Sequence, residues 1–169
     1  MLTLARRALE ARVGGQRPPA MEQGGVLDEP LGAFVTIRRH GELRGCLGRT
    51  AADAPLAETV ADLGGSVSDS DPRFNPVVPA EVDDIDVEIS VLTPEREVHS
   101  VAEIEPGRHG VIVEQGYRRG LLLPQVATEQ GWDAETFVSQ TCRKAGLPAD
   151  AWKHGARMFV FEAEVFGEG

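Results

Sequence analysis

Apolar and polar residues alternate in several stretches of the chain, which is the period of a β-strand. In residues 32–48, Ala33, Val35 and Ile37 fall on one face and the residues between them on the other. The His40-Gly41 pair in this stretch tolerates positive φ, so it predicts a tight hairpin turn. Residues 84–94 alternate in the same way and end at a proline, which predicts a further strand.

Three other segments have the apolar spacing of amphipathic helices. They are residues 2–13, residues 52–63 with Asp53 as the predicted N-cap, and residues 132–145 with Asp133 as the predicted N-cap. Residues 14–31 are rich in glycine and proline and predict a linker. The sequence therefore predicts an N-terminal helix at 1–13, a linker at 14–31 and one globular domain at 32–169.

The second half of the chain repeats the pattern of the first. Gly41-x-x-Arg44-Gly45 matches residues 116–120 at a shift of about 75, and residues 87–92 match 161–166 at nearly the same shift, within a closing strand predicted at 157–166. This predicts an α+β fold of duplicated β-hairpin–helix–strand units, at about 32–94 and 107–166. The units would be related by a pseudo-dyad, with mostly antiparallel sheets and a central cleft as the natural binding site.

Composition and charge narrow the function. The 169 residues are 41% hydrophobic and carry a formal net charge of −10, which argues against a nucleic-acid binder with a basic face. No apolar run reaches the roughly 18–20 residues of a membrane span, and no signal-peptide core is present. Two distant cysteines without metal-ligand spacing predict a reducing, cytoplasmic setting with no metal and no cofactor.

Cys46 is the first candidate for chemistry. Arg44 and Cys46 are two residues apart on one strand, so they share a face at about 6–7 Å, where a guanidinium can favour a thiolate. The alternative is a small buried cysteine that only packs. In the second repeat Arg119 corresponds to Arg44 but Leu121 corresponds to Cys46, so the thiol departs from the repeat.

Loop and strand-end residues complete the candidate binding cleft. Asp71, Arg73 and Phe74 belong to a DPRF segment that would close over a ligand, although Asp-Pro also simply starts turns. His109 is flanked by glycines, and Gln125 follows an apolar strand end at residues 121–124. An ordinary solvated side chain is the alternative for both.

The segment Leu43–Gly48, reading LRGCLG, resembles the signature of the AMMECR family, known in prokaryotes as AmmeMemoRadiSam system protein A. SDPRF, DVEISVLTP, GRHGVIV, GYRRGLLLPQVA and FVSQTCRKAGLPADAWK support this resemblance in order between Gly32 and Phe166. The resemblance implies two β–α units related by a pseudo-dyad. It also implies a cleft lined by Arg44, Gly45, Cys46, the DPRF loop and the Leu-Pro-Gln segment. Gly64-Gly65 departs from the family pattern and predicts a looser approach to the DPRF loop.

The resemblance further implies association with a Memo-like protein and a radical SAM protein, but no established reaction. The leading expectation is an accessory or binding component whose cleft takes a small molecule, a peptide or a partner. The alternative is a small-molecule enzyme that uses Cys46 as nucleophile or redox thiol with assistance from Arg44. A regulatory nucleic-acid binder is third, because the net charge opposes it.

Overall fold

The computed structural model describes all residues from 1 to 169, and it divides the chain into two compact units. Unit 1 comprises residues 1–92 and 164–169, and unit 2 comprises residues 93–163. The α-helices are α1 Leu2–Val13, α2 Leu56–Ser66, α3 Pro124–Gln130 and α4 Ala134–Lys144. The strands are β1 Ala33–Arg39, β2 Glu42–Arg49, β3 Ile85–Leu92, β4 Arg96–Val98, β5 Gly110–Gln115, β6 Arg118–Leu122, β7 Arg157–Phe161 and β8 Ala163–Gly167.

The sheet of unit 1 has the strand order β2-β1-β3-β8. His40 (φ 52°) and Gly41 (φ 81°) form the two-residue turn between β1 and β2, so the predicted hairpin is confirmed. The register shifts at Ile37/Arg38, where Ile37 pairs with Gly45 and Arg38 with Leu43. Arg44 is therefore the extra residue of a β-bulge, a feature that can re-aim a side chain.

α1 and α2 cover the inner face of this sheet. The predicted bounds of α1 are confirmed, and its buried side chains belong to the same core as β1, α2 and β3. α2 begins after Pro55 rather than at the predicted cap Asp53, and it continues through Gly64 and Gly65. A Cβ on Gly64 would lie 2.8 Å from the Ala5 carbonyl oxygen. The glycine that predicted a looser segment instead lets two helices approach closely.

Unit 2 has a sheet of order β6-β5-β7-β4, packed against α4 through a second core. Asp133 accepts a hydrogen bond from the Thr136 amide at 2.8 Å, so the predicted N-cap of α4 is confirmed. The sequence predicts only the end of a strand at residues 121–124, and helix α3, which begins at Pro124, is not predicted. Proline at its first position and Gly131 in the left-handed region (φ 67°) mark its two ends.

The fold class is confirmed as α+β with two four-stranded antiparallel sheets. In each unit a hairpin is followed by a helix and then by a strand that pairs with the first strand of the hairpin. In each, a glycine of the second hairpin strand abuts the residue that ends the helix. A Cβ on Gly45 would lie 3.0 Å from the Val67 carbonyl oxygen, and one on Gly120 would lie 2.5 Å from the Ala145 nitrogen.

The strand predicted at 157–166 is wrong. The chain breaks at Glu162 into β7 and β8, which belong to different sheets. β7 pairs with β5 so that Val160 lies opposite Val111, just as Ile89 lies opposite Val35 in unit 1. The counterpart of β3 is therefore β7, and the matched segments 87–92 and 161–166 do not occupy equivalent positions. No helix of the structure has the length and apolarity needed to cross a membrane.

Candidate functional site

Asp71 lies at the centre of the candidate site in unit 1. Its side chain is buried, and Oδ2 accepts a hydrogen bond of 2.9 Å from the backbone N–H of Cys46 on the edge strand β2. Arg73 binds the same carboxylate through Nε at 3.0 Å and Nη2 at 2.7 Å. The Arg73 guanidinium and the Cys46 N–H hold the pKa of Asp71 well below its usual range. The carboxylate thus covers an exposed strand edge and orients an arginine.

The turn that carries Asp71 is formed locally. The Phe74 amide donates to the Asp71 carbonyl at 3.2 Å, and the Arg73 amide donates to Asp71 Oδ1 at 3.1 Å. This is the side-chain-supported turn that Asp-Pro favours. The DPRF segment therefore forms the turn that Asp-Pro predicts. The same carboxylate also fixes the direction of the Arg73 side chain.

Arg44 is engaged in holding the chain that follows this turn. Its Nε and Nη2 bind the two oxygens of Glu81 at 3.1 and 3.0 Å, and Nη1 binds the Asn75 carbonyl at 2.9 Å. Arg39 also donates to Glu81, at 3.2 Å. Both Arg44 and Glu81 are largely buried, with side-chain exposures of 16% and 13%. The Arg44 charge is thus balanced by a carboxylate and fixes the loop to β2.

Cys46 is half-buried, so neither of the two sequence interpretations describes it fully. Its Sγ receives a hydrogen bond of 3.3 Å from the Thr36 hydroxyl on the neighbouring strand. The other polar contact of the residue is the backbone bond to Asp71. The shared face predicted for Arg44 and Cys46 assumes a regular strand, whereas Arg44 is the extra residue of the β2 bulge and its guanidinium is directed to Glu81 rather than kept free for the thiol.

Arg73 is exposed to solvent and Phe74 is half-buried. The Arg73 side chain is 57% exposed, and its guanidinium carbon lies 5.5 Å from the centre of the Phe74 ring. This is a cation–π distance, so ring and guanidinium form a single platform. Gly45 of β2 is buried, and its Cα faces Val67 and Ile37 in the interior of unit 1.

His109 and Gln125 belong to unit 2. His109 is 8% exposed, and its Nδ1 accepts a hydrogen bond of 3.0 Å from the Glu105 amide. That bond places the proton of the neutral ring on Nε2, which lies 3.9 Å from Glu162. Gln125 is exposed in the first turn of α3 rather than at the end of a strand. Their membership of a common cleft with the residues of unit 1 stays a prediction.

Two residues of the site escaped sequence reasoning. Glu81 lies in a short 3₁₀ helix at 79–84, and Thr36 lies on β1. The Pro79 start and the Glu three residues after Val78 resemble a capping pattern, and Glu81 accepts from the Val78 amide at 3.0 Å. Nothing local in the sequence indicates that the same carboxylate binds Arg44, 37 residues away. Thr36 could have been found from the pairing of β1 with β2, which sets it opposite Cys46.

Fold and site define a two-unit α+β protein in which an acidic turn residue supports an exposed arginine beside a half-buried cysteine. The chain belongs to the AMMECR1 family, whose model matches residues 2–166. A protein of Methanothermobacter thermautotrophicus is 45% identical over 177 residues, covering 99% of this chain and 92% of the relative. Protein TK0174 of Thermococcus kodakarensis is 42% identical over 181 residues, covering 99% and 88%. The structure of uncharacterized protein PH0010 from Pyrococcus horikoshii matches with a TM-score of 0.83 and 40% identity, covering 99% of this chain and 89% of that one.

Proposed function

We propose that this chain is an accessory binding component that acts in the cytoplasm with a Memo-like protein and a radical SAM protein. Its contact surface would be the turn at residues 71–74, which is anchored to β2 through the backbone N–H of Cys46. The observation that carries the proposal is the pairing of Asp71 with Arg73, which holds an exposed guanidinium over Phe74. An exposed Arg held against a half-buried aromatic ring on a fixed scaffold resembles the Arg and aromatic residues that are enriched in binding hot spots.

The contacts of Cys46 favour binding over independent catalysis. A catalytic thiol needs a base or an uncompensated positive charge beside it. Arg44 is paired with Glu81, Arg73 is paired with Asp71, and the sulfur contacts a threonine hydroxyl. The groups that would activate the thiol are therefore engaged with other partners.

A titration of the Memo-like partner into the full chain tests the proposal. Phe74→Ala removes the surface beneath Arg73 and should weaken binding about tenfold or more, since a hot-spot aromatic contributes on the order of 2 kcal/mol. Tyr117→Ala is the matched control, because Tyr117 is a fully exposed aromatic (92%) in the β5–β6 turn. Cys46→Ser should leave affinity unchanged. Equal affinities for wild type and Phe74→Ala would contradict the proposal.

A small-molecule enzyme is the second candidate, favoured by one observation. Cys46 keeps part of its surface exposed, and its backbone and Arg73 share Asp71 Oδ2, so an anionic substrate at Arg73 would lie close to the thiol. In this reading Arg44 assists indirectly, by fixing the loop. The test is the native alkylation rate of Cys46 between pH 6 and 9. A rate no greater than that of the unfolded chain at every pH would exclude a nucleophilic role.

A further inference from the structure

We infer that Arg73 is a carboxylate-binding site, in which the outer edge of its guanidinium takes one carboxylate group above the Asp71–Arg73 pair. The inference rests on the proposed role of the 71–74 turn as the contact surface, and it adds the chemistry of what is bound there. The supporting features are the donors left free on Arg73, an internal comparison with Arg157 and the charge of the turn.

The hydrogen bonds of Arg73 leave one complete edge of the guanidinium unused. The group has five N–H donors in a planar fork. Asp71 takes the side edge, formed by Nε and Nη2. Nη1 makes no hydrogen bond, and with the second proton of Nη2 it forms the end edge, which has the spacing of the two oxygens of a carboxylate.

Asp71 also makes the side chain ready to bind. An arginine that is not held in place loses rotamer freedom when it binds a ligand, and this entropic cost weakens most surface pairs. Here the buried carboxylate already holds the guanidinium, and the Phe74 ring lies against it at 5.5 Å. A ligand therefore meets a donor pair that is already fixed in position.

Arg157 in unit 2 provides a matched comparison. Its side chain is 56% exposed, its side edge binds Glu97 with two bonds of 3.1 Å, and its guanidinium lies 5.0 Å from the centre of the Phe159 ring. Its Nη1, however, donates to Glu114 at 3.2 Å. The two arginines thus share exposure, side-edge pairing and ring stacking, and they differ in whether the end edge is occupied.

The local charge selects a carboxylate over a phosphate. The Asp71–Arg73 pair is neutral as a whole, and the chain carries a formal net charge of −10. A carboxylate adds one negative charge, whereas a phosphate dianion would add two beside the Asp71 carboxylate. Like charges at close range oppose each other in a partly buried setting. One Arg edge, with the neighbouring Arg44 already paired with Glu81, therefore fits a monoanion best.

The test is an NMR titration of the arginine Nε–H signals of the full chain with sodium acetate, against sodium chloride at equal ionic strength. The Arg73 signal should shift and saturate with a Kd of roughly millimolar order, while the Arg157 signal changes no more than it does with chloride. Arg73→Lys keeps the charge but loses the planar fork and should weaken acetate binding about tenfold. Equal responses of Arg73 and Arg157 in the wild type would overturn the inference, even if the variant misfolds.

Short peptides then separate the two sources of a carboxylate. A peptide with a free C-terminus, its C-terminal amide and an amide containing an internal Glu are titrated in parallel. Binding lost in both amides assigns a terminal carboxylate, and binding regained in the amide with the internal Glu shows that a side-chain carboxylate is accepted; either result supports the inference. Equal binding of all three would overturn it. If acetate binds but the Memo-like protein does not, the proposed partner fails and the carboxylate site stands.

Discussion

The strongest test of the structural role of Arg44 is its replacement by methionine. Arg44→Met keeps most of the aliphatic stem and removes the guanidinium that joins β2 to Glu81 and the 75–76 backbone. If the arginine acts as a clamp, the variant should lose stability in unit 1. If the arginine is instead a free ligand-binding group, its removal should cost little.

The size of the effect follows from the contacts. Arg44 makes two bonds to the Glu81 carboxylate, one of 2.9 Å to the Asn75 carbonyl and a weak one of 3.4 Å to the Pro76 carbonyl. Hydrogen bonds to charged groups contribute about 1.5–3 kcal/mol, and breaking a fully buried pair costs about 3–5 kcal/mol. Glu81 would still keep Arg39 at 3.2 Å. We therefore expect a loss of about 2–3 kcal/mol.

Arg49→Met is the matched control, because Arg49 lies on the same strand. Its side chain is 38% exposed, and its carboxylate partner Asp62 lies 3.8 Å away. An exposed pair of this kind contributes about 0.5 kcal/mol or less. The difference between the two variants isolates the clamp from the general effect of replacing an arginine on β2.

Hydrogen exchange is the appropriate assay, because Trp132, Trp152 and Tyr117 all belong to unit 2 and their emission would not report on unit 1. The Val77 amide, which donates to the Ser68 carbonyl at 2.7 Å, closes the loop and should exchange about 30- to 140-fold faster in Arg44→Met. An increase no larger than in Arg49→Met would refute the clamp.

The same contact has a defined pH dependence. The Arg44 guanidinium, with the Val78 amide, lowers the pKa of Glu81 to about 2 from its ordinary 4.5. A lowered folded-state pKa contributes stability that is complete above the unfolded pKa and is lost as the pH falls through the folded one. The difference between wild type and Arg44→Met should therefore be constant above about pH 5 and shrink between pH 4.5 and 2.

Three further results are expected. Gly64→Ala should destabilise unit 1 by about 1–3 kcal/mol, because the added Cβ would collide with α1. Gly65→Ala should instead stabilise it by about 0.5–1 kcal/mol, since the nearest neighbour of its Cβ would be 3.7 Å away. Circular dichroism melts that do not separate the two variants would contradict this packing. Native alkylation should modify Cys46 and spare Cys142, which is fully buried and whose pKa is raised by that burial; mass spectrometry of the native protein showing Cys142 modified first would refute the assignment. Asp71→Asn should speed exchange of the Cys46 amide about tenfold, and unchanged exchange would show that the carboxylate charge does not hold the turn.

Elements defined by local patterns were predictable from the sequence. The ends of α1 and the His40-Gly41 turn agree with the structure because each is determined by nearby residues. The order of hairpin, helix and strand also followed from the repeat. Evolutionary duplication itself stays a prediction, supported by the shared topology and by the matching environments of Gly45 and Gly120.

Features that depend on distant contacts were not predictable. The role of Gly64 depends on its contact with Ala5 of α1, which lies 59 positions earlier in the chain. The break at Glu162 depends on β7 and β8 joining different sheets, although residues 157–166 alternate continuously. The strand period predicted a shared face for Arg44 and Cys46, but Arg44 lies in a bulge and Glu81, which lies outside that strand, determines where its charge is directed.

The central claim is that the 71–74 turn binds a partner and that the Cys46 thiol is not required. The most direct measurement is the affinity of the Memo-like protein for three forms of the full chain: wild type, Cys46→Ser and Arg73→Lys. The account predicts equal affinity for wild type and Cys46→Ser, and a loss of about tenfold for Arg73→Lys. Binding that is lost with Cys46→Ser and kept with Arg73→Lys would contradict it.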